Sequence, residues 1–385
     1  MREPLGKHIS IKHGYAFDGE YFVEEDNGVV LLTPGNFAIG GGFQEGKKYY
    51  DGPYPDEYVL SPGDLVVTMT DLSKTIDTLG YAALIPDDGR VYLHNQRIGL
   101  VEFKDDELDK VYLSYLLRTY HYQRTIAGSS TGSTVHHTSP AKIEAYPVEL
   151  PSAFIQKRIA SILSAYDKLI ENSRRQMALL EEAAQRLYKE WFVDLRFPGY
   201  ETTPIIDGLP EGWRKGKLDE IVEFRRGKTI TQNETLDGDV PVVAGGLKPA
   251  YYHAHANTTS PVITVSGSGA NAGFCRLYTT EIWASDCSFA DSSMTDNLYF
   301  AYASIKVLSN GFKQCQRGSA QPHVYPKHVN ALDVVIPDGV CLSAFNDVAK
   351  ALYSQIGILN ERVSAAREAR DHLLPKLMSG EIEVG

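Results

Sequence analysis

The fold is decided by residues 152–192, which read SAFIQKRIASILSAYDKLIENSRRQMALLEEAAQRLYKEWF. Apolar side chains recur there in steps of three and four residues over about five heptads, which is typical of a long helix that pairs with another helix. Pro151 precedes the stretch, and Ser152 is placed to cap the helix. At about 1.5 Å per residue, the helix is expected to be roughly 60 Å long. The alternative interpretation is one helix of an ordinary bundle.

The same pattern occurs a second time, 186 residues further along the chain. The shift aligns His137 with His323, Pro140 with Pro326, and Pro151 with Pro337. The apolar series continues in this register, so both stretches are predicted to contribute a seam to a coiled coil. The predicted seam residues are Ile159, Leu163, Tyr166, Ile170, Met177, Leu180 and Leu187 in the first stretch, and Phe345, Leu352, Ile356, Leu359, Val363, Leu373 and Leu377 in the second.

Two residues depart from the repeat in the second stretch. Arg370 falls on the seam at the position that Ala184 occupies in the first stretch. Gly357 lies inside the predicted helix, where glycine costs about 1 kcal/mol relative to alanine. We therefore expect either a less regular second helix, or an ion pair between Arg370 and a carboxylate of the first helix.

The blocks that precede the helices have a different texture, with short β-type runs separated by Gly, Pro and Asp. Examples are DLVVTMT (64–70) and PVITVSG (261–267). Such runs predict globular domains of mixed α/β type with many short strands. The predicted boundaries are a first globular domain at 1–150, a first long helix at 151–197, a Pro- and Gly-rich linker at 198–212, a second globular domain at 213–337, and a second long helix at 338–385.

Length and composition are those of an ordinary soluble protein of two or three domains. The chain has 385 residues, of which 43% are hydrophobic and 23% are charged. It contains no apolar run long enough to span a membrane, and MREPLGKHIS lacks the apolar stretch of a signal peptide. The four cysteines, Cys275, Cys287, Cys315 and Cys341, form no CxxC pair. We therefore expect reduced thiols and a cytoplasmic location.

The net charge of −11 argues against a protein that holds DNA by itself. This charge is unevenly distributed. Residues 1–150 contain 13 basic and 22 acidic side chains and account for −9, whereas residues 151–197 contain 8 basic and 6 acidic ones. The remainder of the chain is close to neutral. A role in DNA binding is therefore compatible with the charge only if other proteins neutralise part of the phosphate backbone.

Motifs that carry catalysis are missing from the sequence. The run FAIGGGF (37–43) lacks the spacing of a dinucleotide-binding loop, and GKT (227–229) lacks the first glycine of a phosphate loop, because Val222 stands in its place. The pairs His136-His137 and His253–His255 have no partners at zinc spacing, so we predict no metal site. No Pro-Pro pair is present, which excludes the Asn/Asp-Pro-Pro-aromatic loop of a base-amino methyltransferase. We predict no catalytic residues.

Basic and amide side chains gather instead in turn-rich segments. Arginine is suited to guanine, and asparagine or glutamine to adenine, while Gly/Ser loops can approach phosphates through their backbone amides. For any one of these residues, the alternative is a solvated loop side chain. The candidate DNA contacts are Asn95, Gln96, Arg97, Arg124, Gly132, Ser133, His136 and His137 in the first half, and Arg225, Arg226, Lys228, Lys313, Gln314, Arg317, Gly318, Ser319 and His323 in the second.

With these features together, the chain resembles the specificity (S) subunits of type I restriction-modification systems over nearly its whole length. The resemblance rests on the helical stretch from ELPSAFIQKR to VDLRFPGYE, on its counterpart that ends LLPKLMSGEIEV, on IIDGLPEGW, and on GDLVVTMT with HNQRIGL. It implies an α+β fold with a pseudo-twofold repeat, in which two target recognition domains are joined by two long antiparallel coiled-coil helices. Each domain would read one half of a split DNA sequence, and the helices would set the spacer.

The resemblance also implies partners and cofactors. Two modification subunits would methylate adenine with S-adenosylmethionine, and restriction subunits would use ATP and Mg²⁺, so this chain would carry no cofactor and have no activity of its own. Outward helix positions would face the modification subunits. The alternatives are a two-headed protein-interaction scaffold and a subunit of a methyltransferase-only or type II-like system. The outward positions expected to contact partners are Arg174, Arg175, Arg186 and Trp191.

Overall fold

The computed structural model of the chain describes residues 2–46, 48–73, 75–132, 134–308 and 323–384. These residues form two compact units. Unit 1 extends to Ile170 and resumes at Ala365, and unit 2 is Glu171–Ser364. Each unit therefore consists of one globular head and one end of each long helix. Within the described ranges, no helix combines the length and the apolar character needed to cross a bilayer.

The head of unit 1 is made of short strands, because its apolar runs are interrupted every few residues by turn-forming Gly, Pro and Asp. Three short helices lie towards its C-terminal end: α1 (Lys110–Leu116), α2 (Tyr120–Gly128) and α3 (Pro140–Glu144). The strands are β1 (Glu3–Pro4), β2 (Ile9–His13), β3 (Phe22–Val23), β4 (Val29–Leu31), β5 (Tyr49–Tyr50), β6 (Val59–Leu60), β7 (Leu65–Thr68), β8 (Thr70–Asp71), β9 (Ala82–Leu84), β10 (Val91–Leu93), β11 (Ile98–Phe103), β12 (His136–His137) and β13 (Pro147–Val148).

The strands of head 1 form a central antiparallel sheet in the order β2-β11-β7-β9 and a second sheet in the order β3-β5-β4-β10-β6. Strands β4 and β10 of the second sheet are parallel. The central sheet is buried on both faces. Leu65 and Val67 belong to the core that includes the helices, whereas Val66 packs in the core beneath the second sheet. This alternation explains why β7 is apolar at every position from Leu65 to Val67.

The first long helix, α4 (Ala153–Phe192), leads into unit 2. The head of unit 2 contains helices α5 (Leu298–Leu308) and α6 (Pro326–Asn330), and the second long helix is α7 (Gly339–Ser379). The remaining strands are β14 (Ile205–Ile206), β15 (Leu209–Pro210), β16 (Arg214–Lys217), β17 (Arg225–Arg226), β18 (Val240–Val243), β19 (Tyr251–His253), β20 (Val262–Ser266), β21 (Cys275–Tyr278), β22 (Trp283–Ala284), β23 (Cys287–Asp291) and β24 (Asp333–Ile336).

Head 2 repeats the topology of head 1. Its central sheet has the order β17-β23-β20-β21, which corresponds to β2-β11-β7-β9. Its second sheet contains a parallel pair, β18 with β22, as head 1 contains β4 with β10. In both heads the first and last strands pair with each other, β1 with β13 and β16 with β24. The predicted fold class, two mixed α/β domains joined by two long helices, is therefore confirmed.

The predicted linker contains a small hairpin. Strands β14 and β15 pair antiparallel across Asp207 and Gly208. Both of these residues have positive φ, 51° and 81°. Asp-Gly favours this two-residue turn, because Asp and Gly tolerate the left-handed region better than other residues do. The segment is therefore more ordered than its Pro and Gly content suggests.

The 186-residue repeat is reproduced by the two long helices. Helix α4 begins at Ala153 and α7 at Gly339. In unit 1, Leu163 near the start of α4 shares a core with Leu377 near the end of α7. In unit 2, Tyr188 near the end of α4 shares a core with Phe345 near the start of α7. The helices are therefore antiparallel within each unit.

All of the predicted seam residues are buried or half-buried. The outward expectation for Trp191 is wrong, because its side chain is only 8% exposed and its ring lies 5.9 Å from that of Phe345. A bulky aromatic residue next to the seam is drawn into the core by the apolar area that it buries. Arg174, Arg175 and Arg186 are exposed, as the helical spacing predicts.

Arg370 forms an ion pair with the first helix, which was one of the two outcomes expected from the sequence. Its Nη1 lies 2.5 Å from Oδ1 of Asp167 on α4. Oδ2 of the same carboxylate accepts hydrogen bonds from Arg118 Nη1 at 3.1 Å and from the Tyr115 hydroxyl at 2.6 Å. Burial raises the pKa of Asp167, but Arg118, Tyr115 and Arg370 outweigh this effect and hold the pKa below its ordinary value. One carboxylate therefore joins head 1 to both long helices.

Helix α7 continues through Gly357, so the expected irregularity is not observed. A Cβ at this position would lie 3.1 Å from the Cγ2 and Oγ1 atoms of Thr279 in head 2. Glycine thus allows the head to approach the helix backbone closely, which accounts for a residue of low helix propensity at this position.

We predict that Asp167→Asn lowers the free energy of unfolding by about 2–4 kcal/mol, because it removes the carboxylate that pairs with the buried Arg118 and leaves Arg370 only the exposed Asp371. Urea denaturation measures the change. The matched control is Arg186→Ala, which removes an exposed pair with Glu182 and is expected to cost less than about 1 kcal/mol. Equal destabilisation by the two substitutions would contradict this account.

Candidate nucleic-acid interface

In head 1, several loops converge at one end of the central sheet. The backbone N–H of Tyr15, just after β2, donates to His94 O at 2.8 Å, and that of Gln96 donates back to Tyr15 O at 2.9 Å. The next loop is attached through Met69, whose N–H donates to Arg97 O at 2.9 Å. Strand β12 then pairs with β8. We call this surface rim 1 and define it as residues 13–15, 69–71, 94–97 and 136–138.

In head 2, the corresponding strand ends form a second surface. The N–H of Gly227 donates to Cys287 O, and that of Lys228 donates to Ala284 O, both at 2.9 Å. Val324 N donates to Gly267 O at 3.0 Å, and His323 forms a β-bridge with Ser268. Residues 226–228, 267–268, 284–287 and 323–324 therefore form rim 2.

One glycine in each rim sets the distance between the first strand and the loop beside it. A Cβ on Gly14 would lie 2.2 Å from Asn95 O, and a Cβ on Gly227 would lie 2.2 Å from Ser285 O. Neither site has room for any side chain, because the obstructing atom belongs to the backbone. The two glycines therefore occupy equivalent positions, and the weak match between Lys12-His13-Gly14 and Arg225-Arg226-Gly227 reflects a shared structure.

The side chains on rim 1 are mainly basic or amide. Gln96 and Arg97 are exposed, and Lys12 Nζ lies 5.2 Å from the ring centroid of Tyr58. His137 is exposed and its Nδ1 lies 3.2 Å from the Thr70 hydroxyl. Head 1 is acidic as a whole, but this end of the sheet presents hydrogen-bond donors. Base edges and phosphate oxygens can accept hydrogen bonds from such groups.

Rim 1 also contains buried polar atoms that make no hydrogen bond within the protein. These are His136 Nδ1 and Thr138 Oγ1. Such atoms are costly unless they are paired, and a bound water, ion or ligand group is one explanation for them. Both lie on the segment that also bears the exposed His137.

Rim 2 has a different set of side chains on the same scaffold. Arg226 Nη2 donates to Asp286 Oδ1 at 3.3 Å, and Asp286 Oδ2 accepts from the Ser268 hydroxyl at 3.4 Å. Lys228 Nζ lies 5.9 Å from the ring centroid of Trp283. His323 stacks on Tyr325, with ring centroids 5.7 Å apart and planes 10° apart. Rim 2 therefore contains cations and one acid, and the rings of Trp283 and Tyr325 lie beside it.

Some of the predicted contacts lie elsewhere or have structural roles. Asn95 is 8% exposed, and its Oδ1 accepts from Arg97 N at 3.3 Å, which stabilises the turn. Gly132 has φ +102°, and an added Cβ would lie on Val135 O, so it serves the geometry of its loop. Arg124 lies on α2 above the ring of Tyr120. Arg225 pairs with Glu223. The contacts predicted at Ser133, Lys313, Gln314, Arg317, Gly318 and Ser319 lie outside the described residues.

Asp286, which pairs with Arg226, and Ser268, which donates to Asp286, are not among the contacts predicted from the sequence. An acidic residue is a counter-intuitive element of a DNA-facing surface, and a serine in a Gly/Ser run has no distinctive neighbours. A signal was available in the repeat. Aligning Gly14 with Gly227 places Asp286 at the position of Gln96 and Arg97, which are both candidate contacts.

The run FAIGGGF packs against the protein itself. A Cβ on Gly41 would lie 2.4 Å from Arg118 Cγ, and one on Gly42 would lie 3.2 Å from Arg118 Nη2. The glycines therefore let this loop cover Arg118, which is the arginine that holds Asp167. His253 is buried, and its Nδ1 accepts from Leu236 N at 2.9 Å.

Two heads of one topology, each with a polar rim of its own and each joined to two helix ends, define a two-headed binding protein. The family described as "Type I restriction modification DNA specificity domain" matches residues 34–182 and 210–339. These matches cover more than half of the chain. The chain therefore belongs to the type I restriction-modification DNA specificity family and carries the domain twice, which confirms the family predicted from the sequence.

Relatives in this family support the assignment. The type I restriction enzyme MjaIX specificity subunit of Methanocaldococcus jannaschii is 26% identical over 299 residues, which cover 71% of this chain and 69% of that protein. The EcoBI specificity subunit of Escherichia coli is 25% identical over 240 residues, which cover 59% of this chain and 47% of that protein. The chain thus spans about half of the second relative.

A solved structure shows the same fold. The crystal structure of a type I restriction-modification system S subunit from M. genitalium superposes with a TM-score of 0.63 at 18% sequence identity. The superposition covers 98% of this chain and 95% of that one. The fold is therefore conserved between sequences that share few residues.

We predict that Gly227→Ala lowers the free energy of unfolding by about 1–3 kcal/mol, because its Cβ would push the β17 end away from Ser285. Denaturation by urea gives the value. The control is Gly128→Ala at the end of α2, where an added Cβ meets nothing within 4 Å; its effect is expected to stay within about 0.5 kcal/mol. The tight approach at rim 2 is refuted if both variants are equally stable.

Proposed function

We propose that this chain is the DNA-reading subunit of a type I restriction-modification complex. Rim 1 contacts one half of a split target and rim 2 contacts the other half, while the long helices set the unspecified gap between them. The observation that carries the proposal is the duplicated scaffold with unlike rims: the strand order and the Gly14 and Gly227 contacts are kept, but the exposed side chains differ. Two unlike readers on one scaffold suit an asymmetric, split sequence.

The proposal assigns chemistry to partner subunits. Two modification subunits bind S-adenosylmethionine and methylate adenine, and restriction subunits use ATP and Mg²⁺. This chain contributes no catalytic group. The acidic head 1 supports this division of labour, because its net charge of −9 would repel the phosphate backbone without cations supplied by partners. Weak, strongly salt-dependent DNA binding by the isolated chain follows from the same argument.

The test is to co-express the chain with its cognate modification subunit and to map methylated adenines in the host genome by long-read sequencing. We expect one split motif with a fixed gap, present only when this chain is expressed. Methylation that is independent of the chain would refute the proposed function.

We further predict that the gap shortens when one heptad is removed from each helix. Residues 171–177 of α4 and 358–364 of α7 are suitable, because removing seven residues preserves the phase of the seam. Seven residues correspond to about 10 Å of helix and hence to about 3 base pairs. Genome-wide methylation mapping reads the new gap directly.

The control for this experiment is the double substitution Asn172→Ala with Gln176→Ala, which changes exposed side chains of the same heptad and is expected to leave the gap unaltered. A shortened protein that still methylates with the original gap would contradict the role of the helices as spacer.

A further inference from the structure

The most distinctive feature of rim 2 is the pair formed by Arg226 and Asp286. The guanidinium donates through Nη2 to Asp286 Oδ1 at 3.3 Å, and the carboxylate is held from the other side by the Ser268 hydroxyl at 3.4 Å. Both side chains remain accessible, with exposed fractions of 65% for Arg226 and 44% for Asp286. The pair is therefore oriented by the protein and open to a ligand.

The backbone beneath the pair is fixed. Arg226 is paired in register with Ser288 of β23. The next residue, Gly227, donates its N–H to Cys287 O at 2.9 Å and lies against the carbonyl of Ser285. Because residues on both sides of Asp286 are hydrogen-bonded to the strand that carries Arg226, the two side chains are presented at a defined spacing.

An acidic side chain on a surface that faces DNA needs a reason, because it repels phosphates. Two roles are chemically consistent with Asp286. First, Asp286 limits the rotamers of Arg226, so less conformational entropy is lost when the guanidinium binds a ligand. Second, Asp286 neutralises part of the arginine charge, so the forked guanidinium favours acceptors of matching geometry over any phosphate. The fork of arginine matches the O6 and N7 acceptors of guanine.

The same positions in rim 1 are occupied by different chemistry. With Gly14 placed on Gly227, His13 corresponds to Arg226, since His13 pairs with Gly99 as Arg226 pairs with Ser288. The segment from His94 to Gly99 is one residue longer than that from Ala284 to Ser288, so Gln96 and Arg97 together take the place of Asp286. Both His13 and Gln96 are exposed. A glutamine amide suits adenine, whereas an arginine suits guanine. Unlike side chains at one conserved position are expected of residues that choose bases.

We propose that Arg226, oriented by Asp286, is the residue through which head 2 selects a guanine in its half-site, and that His13 with Gln96 and Arg97 occupies the equivalent reading position of head 1. This inference rests on the proposed function and deepens it, because it names the base and the residue pair for one half of the target.

The experiment compares the methylated motif of the unchanged complex with that of complexes that contain Arg226→Gln or Asp286→Asn. With Arg226→Gln, methylation of the original motif is expected to fall about 5- to 150-fold relative to sites altered at a single guanine of one half-site. With Asp286→Asn, discrimination at the same base pair is expected to weaken. The other half-site and the gap stay unchanged and show that the complex assembles.

Two further variants separate base reading from charge. Arg225→Gln removes the neighbouring arginine, which points to Glu223, and is expected to leave the motif unchanged. Arg226→Lys keeps the charge but loses the fork, so it is not expected to restore discrimination. If the Arg226→Gln protein is too unstable to assemble into the complex, the Arg226→Lys protein tests base discrimination in its place.

The inference is overturned if Arg226→Lys methylates the original motif as the unchanged chain does, or if Arg226→Gln lowers methylation equally at all sequences, since both results assign Arg226 to a phosphate. A motif in which neither half-site contains a guanine also overturns it. Failure of the proposed function has a separate signature, namely that the unchanged chain directs no split motif at all.

Discussion

The packing of both long helices into the core of each head is the constraint on which the rest of the structure depends. In unit 2, Tyr188 and Phe192 of α4, Phe345 of α7, and Phe300 of the head form one aromatic cluster with ring centroids 5.0–6.1 Å apart. In unit 1 the corresponding contacts are aliphatic, through Ile159, Leu163 and Leu377, and are supplemented by the carboxylate of Asp167. A head cannot shift along its helix ends without opening such a core, because close-packed interiors tolerate little displacement.

This arrangement separates the residues that stabilise the fold from the residues proposed to contact DNA. The central sheets and helix contacts use buried apolar residues. The rims lie at strand ends, where Gln96, Arg97, Arg226 and Lys228 are exposed. The exposed residues of a rim can therefore change with little effect on the core. Head 1 has His13, Gln96 and Arg97 where head 2 has Arg226 and Asp286. The glycines that bring strand and loop together are retained, since a side chain at either would collide with backbone.

The long helices could be predicted from the sequence, because the heptad pattern and the 186-residue repeat are both visible in the sequence itself. The sequence also indicated that Arg370 would either disturb the second helix or pair with a carboxylate of the first, and the structure shows the ion pair. The strand pairing was not accessible. Many strands are two or three residues long and pair with partners far along the chain, as Val29–Leu31 pairs with Val91–Leu93. The local sequence pattern therefore does not define the order of the strands.

The convergence of the loops into rims could not be predicted for the same reason. Asp286 was missed because its role depends on an arginine 60 residues away. Trp191 was misplaced because the helical period alone does not show how wide the buried face is near a head.

The most direct test of the central claim is to replace residues 213–337 by a second copy of residues 1–150 and to map adenine methylation in cells that also express the modification subunit. If each head reads its half-site independently on a common scaffold, the motif becomes an inverted repeat of the half-site of head 1, with the gap retained. A motif that keeps the half-site of head 2 would contradict the assignment of one half-site to each head.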